Sequence, residues 1–248
     1  MKCEWILNCG IEYNPPLDIE SEIVKNFSTS IVHEIPELTQ TERDTENGRF
    51  CFFEQGKEAR VRQVQISKDS GLQVGAQDTL TYEEQMSFVR KVIRSAEILK
   101  ISKFNITMAD VRKIFFIKHW GNHHDLLAKS LFKGGALGKM FDEIECPLSK
   151  LDLNFNVYPL PNEDIVFGTW AYPRTRRSEI RSGEYAGNSL TLVCGVARVG
   201  GFVKFDSLWE MFEEVIKIWD SGLTDKVIKN LVKPLLAVAV GKEPKAKK

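Results

Sequence analysis

Three of the four histidines in the chain fall within seven residues, His119-Trp120-Gly121-Asn122-His123-His124-Asp125. Imidazole is the commonest protein ligand for zinc and related divalent ions, and it changes charge near neutral pH. His119, His123, His124 and Asp125 are therefore candidate metal ligands, and a metal-dependent hydrolase is the chemistry they would serve. His119 and His123 are four residues apart, a spacing that shares one face of a helix. Gly121 and Asn122 predict instead that the helix begins only at Asn122. The competing reading is a helix-capping loop with exposed histidines, in which Asp125 meets the positive end of the helix dipole.

A second cluster runs Pro173-Arg174-Thr175-Arg176-Arg177-Ser178-Glu179-Ile180-Arg181. It holds Arg174, Arg176, Arg177 and Arg181, and Trp170, Tyr172 and Tyr185 flank it. The planar guanidinium fork matches phosphate geometry, and aromatic side chains stack on bases. Arg174, Arg176, Arg177 and Arg181, with Trp170 and Tyr172, are the candidate nucleic-acid-binding set. The competing reading pairs these arginines with the acidic residues of 37–48 or of 206–220.

The stretch Lys133-Gly134-Gly135-Ala136-Leu137-Gly138-Lys139-Met140 lacks the first glycine and the final Ser/Thr of a phosphate-binding loop. It reads as a helix terminator. Asp142, Glu143 and Glu145 follow it and could meet a cation, or form a wet helix face. No GxGxxG, HExxH or GxSxG motif is present, so no cofactor is implied and no catalytic residue is assigned.

The composition suits a packed globular chain. Of 248 residues, 43% are hydrophobic and 27% charged, which excludes collagen, coiled coil and wholesale disorder. The 34 basic residues balance the 34 acidic ones, so a uniformly basic polyanion binder is excluded. The charge is nonetheless segregated. Residues 49–119 and the C-terminal end are basic, and residues 18–46 and 206–220 are acidic. Such segregation can steer a polyanion onto one face, and it is equally what a self-complementary homo-oligomer would show. Cys3, Cys9, Cys51, Cys146 and Cys194 are odd in number and scattered, which predicts buried reduced thiols. With no secretory stretch at the N terminus and no apolar run of about 20 residues, the expectation is a cytoplasmic protein with no membrane segment.

These residues need elements to position them. Trp5 to Tyr13 alternates with period two and predicts a strand. Asp18 to about His33 repeats Ile19, Ile23, Phe27 and Ile31 and predicts a helix. Residues 37–48 read as a loop. Three short strands follow, at Arg49–Phe53, Arg60–Ile66 and Leu72–Gly75. Thr81 and Glu84 form a capping box that opens an amphipathic helix with Met86, Val89, Val92, Ile93 and Ala96 on its apolar stripe. Residues 104–118 predict a strand interrupted at Asp110, and Asn122–Phe132 a short helix. Strands are expected at Leu151–Val157, Ile165–Tyr172 and Leu190–Val199. A helix from near Asp206 buries Leu208, Met211, Phe212, Val215, Ile216 and Trp219, with Glu213 and Lys217 paired on its wet face. Leu223 to about Val232 predicts a further helix, stopped by Pro234.

Consecutive runs of strands argue for an α+β fold, with antiparallel sheets and amphipathic helices packed on one face. Two similar βββ-containing halves are expected, at 1–120 and 121–240, tightly packed, with a frayed basic tail at 241–248.

The succession VRQVQIS, TYEEQMSFVRKVI, ITMADVRKIFF and FDSLWEMFEEVIKIW, preceded by NPPL, resembles a sporadically distributed prokaryotic family of uncharacterised proteins of about this length. The resemblance covers most of the chain. Where that family commonly has an Arg-Tyr-Asn-like strand ending, this chain reads Lys113-Ile114-Phe115-Phe116. The resemblance implies no catalytic residues. Its patchy distribution implies a role in phage or host conflict, such as antiviral defence. The expected function is a non-catalytic binding protein for nucleic acid or another phosphate-bearing partner. A metal-dependent hydrolase and a scaffold subunit with a protein partner are the alternatives.

Overall fold

The computed structural model describes residues 3–57, 59–131, 150–151, 153–157, 164–221, 226 and 228–240. The glycine-rich stretch 133–140, Asp142, Glu143, Glu145, Cys146 and the tail 241–248 lie outside the described residues.

The alternation that begins at Trp5 produces β1 (Cys3–Tyr13), which places Leu7, Cys9 and Ile11 on one face, all fully buried. Helix α1 (Glu22–Glu34) starts later than the apolar repeat suggests, because the Ser21 hydroxyl accepts the Val24 N–H and caps it there. Residues 37–48 are not all loop. Gln40–Asp44 forms β2, which pairs antiparallel with β3 (Arg49–Gln55). Its polar side chains suit an edge strand, and Glu42 is ion-paired with Arg49 and Arg60. The meander continues through β4 (Arg60–Ser67) and β5 (Gly71–Gln77).

Both bonds of the Thr81–Glu84 capping box form, and they open α2 (Tyr82–Ser95) with its predicted stripe buried. Strand β6 (Ile106–Lys118) runs through Asp110 without a break. Its register with β1 shifts instead between Glu12 and Tyr13. Then come α3 (His123–Leu131), β7 (Leu153–Val157), β8 (Ile165–Tyr172), a six-residue helix α4 (Arg177–Ser182) and β9 (Ser189–Val199). Helix α5 (Leu208–Asp220) buries all six predicted stripe residues. Its Glu213 turns to Arg90 of α2 rather than to Lys217, because the neighbouring helix brings a guanidinium within 3.1 Å. Pro234 stands in the first turn of α6 (Lys233–Val238) and does not end a helix; it needs no N–H donor there.

The fold is α+β. Among the described residues, nine strands form one antiparallel sheet in the order β2-β3-β4-β5-β1-β6-β9-β8-β7. β1 and β6 lie side by side at its middle, and each is followed by a helix and a meander whose last strand pairs back onto it. Helices α1, α2 and α5 cover one face over Leu7, Ile11, Val74 and Val111. Helices α3 and α6 contribute Leu127 and Leu235 to a second cluster over Phe115 and Ile117. Register places Phe115 opposite Trp5 and Val111 opposite Cys9, so both clusters lie on the same side of the sheet. No described helix packs on the other face. Cys9, Cys51 and Cys194 are free and buried. No described helix is long and apolar enough to cross a membrane.

Candidate binding site

The three clustered histidines are buried, not exposed: His119, His123 and His124 retain 8%, 1% and 7% of their surface. Asn122 caps α3 by accepting the His124 N–H at 3.0 Å, so the helix starts at His123 and His119 lies outside it. Each histidine Nδ1 accepts a backbone N–H from a remote segment. His119 takes Val240 at 3.1 Å, His123 takes Arg174 at 3.0 Å and His124 takes Leu151 at 2.8 Å. His123 also donates from Nε2 to the Asn188 carbonyl at 3.0 Å, which sets its tautomer. Burial lowers the pKa of His123, and it lowers that of His119 to about 4, with His123 adding to the effect. Neutral rings suit this role, since a protonated Nδ1 cannot accept. The lone pairs a metal would need are therefore engaged by backbone. Among the described residues, no group of three His, Cys, Asp or Glu side chains is placed to hold a metal ion. His119, His123 and His124 tie three chain segments together.

One of those segments is the arginine loop. Its backbone is fixed at several points. Arg174 donates to His123, and the Thr175 hydroxyl accepts the His123 N–H at 3.0 Å while donating to the Gly121 carbonyl. The Glu179 carboxylate accepts the Arg176 N–H at 2.7 Å and the Ala186 N–H at 2.9 Å. Those two bonds hold its carboxyl below the ordinary glutamate range. The side chains are treated oppositely. Arg174, Arg176, Arg177 and Arg181 are all exposed, and none makes an ion pair among the described residues.

Several acidic residues that could have neutralised them hold other arginines instead. Glu20 holds Arg43, Glu42 holds Arg49 and Arg60, Glu213 holds Arg90, and Glu214 holds Arg198. The segment thus presents four exposed guanidinium groups without an ion pair among the described residues, on a hydrogen-bonded backbone, with Glu179 the carboxylate that acts on Arg176.

Trp170 and Tyr172 alternate along β8 and point to the sheet face that carries no described helix, and β8 leads directly into Arg174. On that face a trough of about 230 Å³ runs between β6, β9 and β8. Met108, Val166, Trp170 and Val199 give it apolar walls, and Asp110, Arg112 and Asn156 are its polar groups. Its shape depends on three glycines. The benzo edge of Trp170 lies across Gly168, the Arg112 Cγ lies across Gly195, and the Asp110 Oδ1 sits over Gly10 where a Cβ would come within 2.6 Å. Asp110 is 3% exposed and ion-paired with Arg112, and its Oδ1 is buried against Gly10 rather than open to the trough. Burial pushes its pKa up to about 6, against the opposing pull of Arg112. The sequence signal for this site was a charged residue inside an apolar strand, which reads first as an interruption. The glycines come from strands far apart in the chain, so pairing alone gathers them.

Fold and site together describe an α+β protein with one sheet face covered by helices, one face that carries no described helix, and an exposed arginine-rich segment after β8. Compared with known families and curated proteins, the chain matches no family model and no curated protein.

Proposed function

We propose that this chain is a non-catalytic binding protein that takes a phosphate-bearing polymer, nucleic acid above all, on the Arg174–Arg181 loop. The observation that carries this reading is the pairing of a clamped backbone with four exposed guanidinium groups that have no ion-pair partner among the described residues. Exposed arginines of this kind bind phosphate oxygens and release condensed counterions, so affinity falls with salt. Clamping lowers the entropy lost when the loop meets its ligand. Tyr172, which is 55% exposed, and Trp170 extend the same surface with aromatic faces.

The test is binding of labelled single-stranded RNA and duplex DNA across a salt series. Wild type is compared with the Arg174/Arg176/Arg177/Arg181→Ala variant. The expected result is wild-type binding, with a variant slope of log K against log[salt] shallower by roughly two to four. Equal slopes, or no wild-type binding at low salt, would overturn the proposal.

A further inference from the structure

The sheet ends in two strands of equal length, β2 and β7, whose side chains differ. β2 reads QTERD. Its Glu42 is ion-paired with Arg49 and Arg60, and its Arg43 is ion-paired with Glu20 and donates to the Ile19 carbonyl. Charges of this kind guard a sheet edge, because a strand added there would have to disturb or bury them. β7 reads LNFNV and carries no charge and no proline, and its register with β8 runs without a bulge. Leu153 turns into the core at 5% exposure. Asn154, Phe155 and Asn156 are all exposed, and Phe155 keeps 55% of its surface. Among the described residues these three pair only with Trp170, Thr169 and Gly168 of β8. The other side of the strand therefore offers its main-chain donors and acceptors outward.

An uncharged edge with an exposed aromatic residue takes a further extended strand. The sequence of β7 points to which strand. A two-fold contact must be self-complementary, and LNFNV reads almost alike from either end about Phe155. Antiparallel pairing with a second β7, with the axis at Phe155, sets Phe155 opposite Phe155, Asn154 opposite Asn156 and Leu153 opposite Val157. Aromatic residue then meets aromatic residue, and amide meets amide, which are favourable cross-strand pairs. Residues directly opposite each other point to the same side of a sheet. Phe155 shares its side with Leu153, which packs under α3 and α6. This register therefore keeps the helix layers of both copies on one side, whereas a slip of one residue would set Phe155 against an asparagine and turn one copy over.

We propose that β7 is the seam of a homodimer, in which two chains join edge to edge by antiparallel β7–β7 pairing centred on Phe155 and their two sheets become one. The inference stands apart from the nucleic-acid reading, and its failure leaves the arginine segment untouched. A five-residue seam falls short of the roughly 800 Å² per partner of a standard interface. The dimer is accordingly reversible, and its population rises with protein concentration.

The experiment is sedimentation equilibrium of the full chain over a series from about 5 to about 500 µM, in low salt, where weak interfaces become populated. The wild-type average mass is expected to rise from that of one chain toward that of two. Phe155→Lys and Phe155→Glu each set like charges directly opposite across the axis. Each alone is expected to stay at the mass of one chain, with the far-UV spectrum of wild type, since the side chain it replaces is exposed. An equimolar mixture of the two sets opposite charges across the same pair and is expected to dimerise again, the more so at low salt. Wild type that stays at one chain throughout overturns the proposal and leaves the edge to an extended strand of another protein. A mass that climbs past two chains overturns the closed two-fold pairing. A dimer that survives both substitutions lies elsewhere on the surface and overturns the seam, and a mixture that stays monomeric overturns the axis at Phe155.

Discussion

His123 and Asp110 are both nearly inaccessible, at 1% and 3% exposure, but their hydrogen bonding differs. His123 has a partner at each ring nitrogen, Arg174 N–H on one side and the Asn188 carbonyl on the other. Asp110 keeps one oxygen without any. Burial of a polar side chain therefore does not by itself mark function here. A satisfied buried group repays its desolvation with hydrogen bonds and holds the fold. An unsatisfied one carries a cost that a ligand can remove. The histidine cluster, whose residue types suggested chemistry, is a clasp. The unpartnered Asp110 oxygen is one of several such buried atoms, with Tyr13 Oη, Gln85 Oε1 and Trp219 Nε1 under the helices, and it belongs to a residue that merely seemed to interrupt a strand.

The largest effect that probes this contrast is loss of the clasp. His123→Ala removes both ring bonds, leaves the part-buried Arg174 N–H and Asn188 carbonyl without their partners, and empties the fully buried ring site. The expected destabilisation is about 2–4 kcal/mol, read from the urea midpoint at unchanged m-value. A loss under about 0.5 kcal/mol would mean that the clasp does not hold the loop, and the two clusters would then be alike.

Acid titration separates the clusters by sign. The pKa of His119 is lowered to about 4 in the folded state, and that of His123 is lowered too. Below about pH 6.5 the unfolded chain binds protons that the folded chain refuses, so their contribution is whole above that value and is lost as pH falls toward 4. The slope is up to about 1.4 kcal/mol per pH unit for each histidine. Asp110 runs the other way. Its folded pKa is raised to about 6, so its contribution is whole below about pH 4 and is lost as pH rises through 6. Asp110→Asn is therefore expected to be about 1 kcal/mol more stable than wild type at pH 7.5 and to show no gain near pH 4. Arg112, whose Nε faces Asp110 and is buried, can still donate to the amide oxygen that Asp110→Asn keeps. A variant less stable than wild type at pH 7.5 would make Asp110 a structural ion-pair partner and erase the contrast.

What the sequence reveals follows the range of the forces involved. Local signals were legible. Thr81 and Glu84 form their box, and the α5 stripe is buried residue for residue. The arginine cluster is visible in one dimension as a dense run of one residue type, but the helix over Arg177–Ser182 within it is not. Tertiary substitutions were not. Glu213 faces Lys217 in the sequence and Arg90 in space. Gln40–Asp44 has no apolar pattern and becomes a strand only because β3 offers it an edge. The trough was hidden for the same reason. Gly10 meets Asp110, and Gly168 meets Gly195, only through strand pairing across the sheet.

The smallest expected effect concerns the arginine loop itself. The fold uses its backbone through His123, Thr175 and Glu179, while its guanidinium groups make no ion pair among the described residues. Removing all four guanidinium groups should then leave stability within about 0.5 kcal/mol of wild type, the range of ordinary surface substitutions. Thermal unfolding of the Arg174/Arg176/Arg177/Arg181→Ala variant checks this in low salt, where any unrecognised surface pairing is strongest. A loss above about 1 kcal/mol would show that the arginines serve the fold. The division between a satisfied clasp and a loop left free for a ligand would then fail at its exposed end.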